Sequence, residues 1–256
     1  MPAVHVPDGP ARPHLPAVEL APEVASAVLR EGELELLGRL AWSSNATMLV
    51  TASLDGAELA AVYKPQRGER PLWDFPDGTL CHREVAAYEL AALLRWDLVP
   101  ETVLRNGPYG LGMVQRFVDH DPEEHYFTLL EDHADVLRRV AVFDVLANNA
   151  DRKGGHCLRE RRSGHVWGID HGLTFLPAPK LRTVIWDFAG EPVPRELCED
   201  VRALVAELDS PRGESLRALL EPTELEALCR RAADLLRAGV LPSPDEGYHS
   251  VPWPLV

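Results

Sequence analysis

The chain has 256 residues, 46% of them hydrophobic, which is enough for one large domain or for two lobes that share a core. Its formal net charge of −14 argues against a binder of duplex nucleic acid and against unaided docking on an anionic membrane surface. No run of about 18 apolar residues occurs, and prolines interrupt the N-terminus where a signal peptide needs an apolar segment. We therefore expect a cytoplasmic protein whose four cysteines are free thiols.

The N-terminal part predicts an arm followed by an antiparallel sheet. Residues 1–33 are rich in proline and form the expected arm, which includes a short helix near residues 22–31. From Leu36 the hydrophobic period changes to two. Residues 47–54 then alternate polar and apolar side chains, as a half-buried strand does.

A β-hairpin is predicted next. Asp55-Gly56 is a strong turn signal between two strands. The return strand runs from Leu59 to Lys64, and the alternation of side chains along a strand places Val62 and Lys64 on one face. The proline that follows ends the strand because it has no N–H to donate.

The remaining elements up to residue 118 complete a β-rich lobe, which we predict to span residues 34–118 and to bind a nucleotide. Residues 66–80 are expected to form a long loop, and a helix is expected from about residue 82 to residue 95. Two further strands are predicted near residues 101–105 and 112–118.

The second half is mainly helical and forms a predicted C-lobe at residues 119–240, followed by a tail at 241–256. Helices are predicted over residues 128–147 and within 193–238, and the segment VWGID reads as a short buried strand. The chain is therefore predicted to adopt an α+β fold with two lobes, a small antiparallel β-rich N-lobe and a mainly helical C-lobe. Ligands favour the cleft between such lobes.

The stretch NNADRKGGHCL concentrates charged and metal-capable side chains directly after an apolar helix. Asp151, Lys153 and His156 share this loop, and Asp170 follows the short strand in the segment IDHG. A carboxylate at a strand end, combined with a ligand on a loop, is a natural Mg²⁺ site for the phosphates of a nucleotide. A zinc site built from the nearby histidines and Cys157 is the alternative, although the spacing matches no regular zinc pattern.

Lysine is rare in this chain: of its 26 cationic residues only three are lysines, namely Lys64, Lys153 and Lys180. Lysine carries a compact point charge, whereas arginine carries a planar guanidinium group. We therefore expect a chain that otherwise uses arginine to keep lysine where the geometry of a site requires it. Glu84, on the helix that follows the hairpin, could pair with Lys64. In the turn WSSNA, Ser44 and Asn45 could offer donors to a phosphate, or could form an ordinary polar turn.

Five motifs occur in the order and rough spacing of the protein-kinase-like fold: AVYKP, REVAAYEL, GMVQRFVD, NNADRKGGHCL and WGIDHGLTF. The sequence resembles a bacterial branch of the phosphatidylinositol 3-/4-kinase superfamily, and it is most similar to type II phosphatidylinositol 4-kinases and HipA-type kinases. The resemblance covers about Leu36 to Phe175, which is more than half of the chain.

The resemblance implies a nucleotide site in the N-lobe. Lys64 corresponds to the strand lysine that holds the α- and β-phosphates, and Glu84 corresponds to its ion-pair partner. The segment from Gln115 through Phe117 to Val118 resembles the hinge, whose backbone meets adenine. Val62 would pack on the base, and the turn with Ser44 and Asn45 would cover the phosphates.

The resemblance also implies a catalytic loop and a metal site. Asp151 corresponds to the aspartate that accepts the proton of the acceptor hydroxyl, and Lys153 to the lysine that neutralises the transferring phosphoryl group. Asp170 corresponds to the aspartate that binds metal. His156 stands where the family has a metal-binding asparagine, which shifts the expected metal from Mg²⁺ towards Mn²⁺. The cysteine-rich insertion of type II lipid kinases is absent, which disfavours a lipid substrate.

The function predicted from the sequence is a kinase-like phosphotransferase that uses ATP and Mg²⁺ or Mn²⁺ and acts on a protein or small-molecule hydroxyl. Its expected partners are a nucleotide and a phosphoryl acceptor, without nucleic acid and without stable membrane association. Two alternatives remain open: a nucleotide-binding pseudokinase or scaffold without turnover, and an enzyme of the same fold that transfers AMP.

Overall fold

A computed structural model describes residues 20–39, 46–245 and 249–256. The predicted phosphate-covering residues Ser44 and Asn45 lie outside the described residues, as does most of the predicted N-terminal arm.

The N-lobe is built on one five-stranded antiparallel sheet with the strand order β1-β2-β3-β5-β4. Its strands are β1 (Glu33–Arg39), β2 (Met48–Leu54), β3 (Ala57–Pro65), β4 (Thr102–Gly107) and β5 (Gly110–Arg116). The predicted hairpin between β2 and β3 is confirmed. Asp55 and Gly56 have φ values of 50° and 81°, the left-handed region that a tight two-residue hairpin turn requires.

The two faces of the sheet are covered by different helices. Helix α1 (Pro22–Glu31) packs on one face, where Leu29 joins Ala61 and Tyr63 in a buried cluster. Val62 and Lys64 alternate with these residues and therefore lie on the opposite face, which we call the cleft face. The sequence-based prediction places α1 in the N-terminal arm. In the structure, the buried side chain of Leu29 packs against the sheet of the N-lobe.

Helix α2 (Leu80–Leu93) packs against the cleft face, where Cys81 and Val85 contact Met113 of β5. The helix begins two residues before the predicted start because Glu69 caps it. The Glu69 carboxylate accepts the N–H groups of Leu80 at 3.2 Å and Cys81 at 2.8 Å. This cap comes from the β3–α2 loop, so the local sequence of the helix does not reveal it.

The C-lobe is helical, with one short hairpin. Its elements are α3 (Tyr126–Leu129), α4 (Ala134–Ala147), β6 (Cys157–Arg159), β7 (Val166–Gly168), α5 (Arg195–Glu207), α6 (Glu214–Leu219) and α7 (Pro222–Ala238). The helix predicted over 128–147 is confirmed from Ala134 to Ala147, but it does not begin at residue 128, because Asp132 and His133, which are poor helix formers, lie between α3 and α4. Strand β6, which pairs with β7, is absent from the sequence-based prediction.

A buried ion pair joins the two lobes behind the cleft. Arg83 of α2 contacts Glu224 of α7 at 2.5 Å and donates to the carbonyl of Thr174 at 2.5 Å. The fold is therefore the two-lobed α+β arrangement predicted from the sequence, whereas the exact lobe boundaries at 33, 118 and 240 stay predictions. Within the described parts of the chain, no helix has the length and apolar character needed to cross a membrane.

Candidate nucleotide and phosphoryl-transfer site

Three predicted site residues from three different elements meet in the cleft. Lys64 of β3 lies 2.5 Å from Glu84 Oε1 on α2 and 2.9 Å from Asp170 Oδ1, which follows β7. The second carboxylate oxygen of Glu84 accepts the backbone N–H of His171 at 2.8 Å. Glu84 therefore fixes both the lysine and the loop that carries Asp170.

The charges of this cluster stabilise one another. Burial alone lowers the pKa of Lys64, but the carboxylates of Asp170 and Glu84 outweigh it and leave the pKa above its usual value. Partial burial by itself raises the pKa of Asp170, yet the positive charge of Lys64 holds this pKa well below its usual range. Both groups are charged at neutral pH, and the Asp170 side chain is 48% exposed towards the cleft.

The backbone at Asp170 is held in an unusual conformation. Its φ is 58°, in the left-handed region that aspartate tolerates better than most residues. The neighbouring backbone groups are both bonded, since the carbonyl of Ile169 accepts from Arg152 at 2.8 Å and the N–H of His171 donates to Glu84. These bonds fix a conformation that is typical of functional sites.

The catalytic-loop candidates Asp151 and Lys153 form an ion pair with a distance of 2.9 Å. Burial raises the pKa of Asp151, and its hydrogen bond to Lys153 opposes this rise. The backbone N–H of Asp151 donates to the Asn149 side chain at 3.0 Å, which orients the loop. This pair can therefore provide a proton acceptor and a positive charge at one place.

His156 connects the catalytic loop to Asp170. Its Nδ1 accepts the backbone N–H of Lys153 at 3.3 Å, and its Nε2 lies 3.4 Å from Asp170 Oδ2. Burial lowers the pKa of His156 to about 4, so the ring is neutral at pH 7, with its proton on Nε2. Binding a cation at Nε2 requires the proton to leave that nitrogen.

The donor set at this point suits a cation that is bound partly by substrate phosphates. Asp170 and His156 supply one oxygen and one nitrogen, a pair that suits Mn²⁺ better than Mg²⁺. Among the described residues, no three His, Cys, Asp or Glu side chains gather around one point. The zinc alternative therefore lacks a ligand set, and burial raises the pKa of the Cys157 thiol to about 12, which disfavours the thiolate that zinc needs.

Sequence reasoning missed Arg152, whose side chain is fully buried between the two aspartate loops. Its guanidinium makes a bidentate ion pair with Asp144 of α4 at 2.8 and 2.9 Å. It also donates to the carbonyl of Ile169 at 2.8 Å and lies 2.7 Å from His171 Nε2. The only local signal is a lone aspartate on the apolar face of α4, in the segment VFDVLA. Arg152 is therefore a positioning residue that ties the Asp151 loop to the Asp170 loop.

The backbone of the predicted hinge is partly engaged within the sheet. Gln115 pairs with Val62 inside the sheet, and the N–H of Phe117 donates to a carbonyl of β3 at 3.0 Å. The N–H of Phe117 is thus engaged within the sheet, and the assignment of residues 115–118 as the hinge stays a prediction. The Gln115 side chain is buried and donates to Thr102 Oγ1 at 2.8 Å, whereas Val62 is half-buried on the cleft face, where a base could contact it.

The fold and this cleft define a protein-kinase-like protein. The structure of the Golgi casein kinase with Mn/ADP bound has a TM-score of 0.50 and 14% identity, and the match covers 90% of this chain and 78% of that one. The structure of hydra Fam20 with sugar also has a TM-score of 0.50 and 14% identity, with 82% and 86% covered. At this identity, the similarity shows the fold alone.

Residues 90–238 match the family described as phosphatidylinositol 3- and 4-kinase, and the chain belongs to this family. Protein Rv2133c of Mycobacterium tuberculosis (strain ATCC 25618 / H37Rv) is 43% identical over 263 residues, which cover 89% of this chain and 94% of that protein. The matched family range contains Asp151, Lys153 and Asp170. Lys64 and Glu84 lie before it and are placed at the site by the structure.

Proposed function

We propose that this protein is a phosphotransferase that uses ATP and a divalent cation to phosphorylate a hydroxyl group of a protein or a small molecule. The observation that carries this proposal is a continuous line of contacts in the cleft, from Glu84 through Lys64, Asp170 and His156 to Lys153 and Asp151. Phosphoryl transfer depends mainly on alignment and on positive charge around the transferred group. These contacts gather the required groups in a chain of net charge −14.

The roles follow from position and charge. Lys64, held by Glu84, binds the α- and β-phosphates, and Val62 packs on the base. Asp170 and His156 would hold the cation. A bound Mg²⁺ or Mn²⁺ neutralises charge on the β- and γ-phosphates.

Proton transfer and charge neutralisation are assigned to the catalytic loop. The acceptor oxygen forms a bond to the γ-phosphorus, its proton passes to Asp151, and ADP leaves. Asp151 suits this role because burial raises its pKa towards that of a useful base. Lys153 neutralises the transferred group. The four free cysteines fit a reducing cytoplasm, where we place the protein.

A nucleotide-binding pseudokinase is the second candidate, and His156 favours it. The ring is neutral, its Nδ1 accepts a backbone N–H, and its Nε2 faces Asp170. A metal at Nε2 would require a proton shift to Nδ1 and loss of the bond from Lys153. Transfer of AMP is a third possibility, which the mass added to a product distinguishes from transfer of phosphate.

The test compares Asp151→Asn and Asp170→Ala with the control Asp135→Asn, whose side chain is fully exposed on α4. We expect each site variant to lower ATP turnover by roughly 10²- to 10⁴-fold and the control to keep the wild-type rate. If both site variants turn over ATP at the full rate, the assigned roles are wrong. If ATP raises the thermal midpoint of the wild type and no product forms, the protein is a pseudokinase.

A further inference from the structure

Arg182 is a cation beside the catalytic loop, and its side chain is unpaired within the described ranges. It makes no ion pair and no side-chain hydrogen bond there, and its Nε is buried without an acceptor. The two nearby lysines are both paired, Lys153 with Asp151 and Lys180 with Asp74. A buried donor without an acceptor is unfavourable, and a bound oxyanion would supply the missing acceptor.

The backbone of Arg182 is fixed against the catalytic loop on both sides of Asp151. Its N–H donates to the carbonyl of Asn149 at 2.8 Å, and its carbonyl accepts the N–H of Arg152 at 3.0 Å. The charge of Arg182 also acts on the Asp151 carboxyl, whose pKa is raised mainly by burial and lowered by the nearby cations. The backbone of Arg182 is therefore held against the loop that carries the group that would take the acceptor's proton.

Two segments of the chain lie next to the catalytic loop on the side of Arg182. The first is the C-terminal segment: the carbonyl of Ser250 accepts the N–H of Thr183 at 3.0 Å, and the carbonyl of Leu255 accepts the N–H of Gly154 at 2.7 Å. On the other side, the β3–α2 loop reaches Lys180 through Asp74 and through Trp73, whose ring centroid lies 4.8 Å from the lysine amine. The segment 180–183, which carries Arg182, is thus bordered on two sides, and this arrangement favours a compact acceptor.

We propose that Arg182 binds an oxyanion of the acceptor, so that the acceptor is a compact hydroxyl compound with a phosphate or carboxylate group near that hydroxyl. This inference rests on the proposed phosphotransferase function. The planar guanidinium group of arginine binds an oxyanion through two parallel hydrogen bonds. In a protein of net charge −14, an anionic acceptor also needs a local cation to approach the site.

The kinetic test uses Arg182→Gln, Arg182→Lys and the control Arg195→Gln, whose side chain is 92% exposed on α5. Acceptors are sn-glycerol 3-phosphate and D-glycerate, with glycerol as the neutral match. We expect wild-type kcat/KM to favour the anionic acceptors by roughly 10- to 100-fold. Arg182→Gln should lose this preference through KM, Arg182→Lys should keep part of it, and the control should keep all of it. Equal use of glycerol by the wild type, or an unchanged preference in Arg182→Gln, overturns the proposal.

A binding measurement separates this proposal from the proposed function. Inorganic phosphate is titrated calorimetrically into the full chain saturated with a non-hydrolysable ATP analogue and Mn²⁺, or into the chain alone if the analogue does not bind. Phosphate binding that Arg182→Gln abolishes supports the oxyanion site even where no turnover occurs, in which case only the phosphotransferase function fails. Wild-type binding that Arg182→Gln leaves intact, or no binding at all, overturns the oxyanion site. Phosphatidylcholine vesicles with and without phosphatidylinositol then show whether the oxyanion belongs to a lipid headgroup or to a free solute.

Discussion

Replacing Arg152 with methionine removes the buried guanidinium that connects the two aspartate loops. Its side chain is fully buried, and the substitution leaves the Asp144 carboxylate buried with one remaining donor, the Asn149 amide at 2.9 Å. Breaking a buried ion pair from one side costs about 3–5 kcal/mol. That is a large share of the roughly 5–15 kcal/mol by which folded domains are stable. With a urea m-value of about 3 kcal/mol/M, the midpoint should fall by roughly 1–1.7 M.

The double variant Asp144→Leu with Arg152→Met separates stability from function. Replacing a buried ion pair by apolar side chains of similar volume is often neutral or stabilising, so its urea midpoint should return to near the wild-type value. Its ATP turnover should stay low, because the bonds from Arg152 to Ile169 and His171 are still absent. A midpoint shift below about 0.3 M in Arg152→Met would refute the buried-pair reasoning. Full turnover in the stable double variant would refute the positioning role.

Three further outcomes are expected. Glu84→Gln leaves Lys64 with one carboxylate partner and should lower kcat/KM for ATP by roughly 10- to 100-fold, and a change of less than about twofold contradicts the role of Glu84. His156→Asn should raise the ratio of Mg²⁺-supported to Mn²⁺-supported turnover by roughly tenfold, since an amide oxygen suits Mg²⁺, and an unchanged ratio argues against metal binding at this position. Burial raises the pKa values of Cys81 and Cys157 to about 12, so both thiols should resist alkylation at a pH of about 8 until urea unfolds the protein, as mass spectrometry can show.

The sequence by itself determined the elements whose signals are local. The Asp55-Gly56 turn adopts the left-handed conformation that its residue types favour. Helix α7 begins at Pro222 and ends before Gly239, which has a φ of 67°. Proline favours the first turn of a helix, and glycine favours the left-handed position just after its end. Side-chain alternation likewise placed Val62 and Lys64 on one face. Such features depend on neighbouring residues only, through backbone sterics and periodicity.

Only the tertiary structure decided which charged groups meet. Lys64 and Asp170 are separated by 106 positions, and no local pattern gives their distance of 2.9 Å. Arg152 lies between two charged residues and has the sequence context of a surface residue, yet packing against Asp144 turns it into the core. Arg182 likewise gains its position from backbone bonds to the catalytic loop. Whether a charged side chain is buried depends on the oppositely charged and hydrogen-bonding groups that the folded chain brings next to it. Only these groups offset the free-energy cost of removing the charge from water.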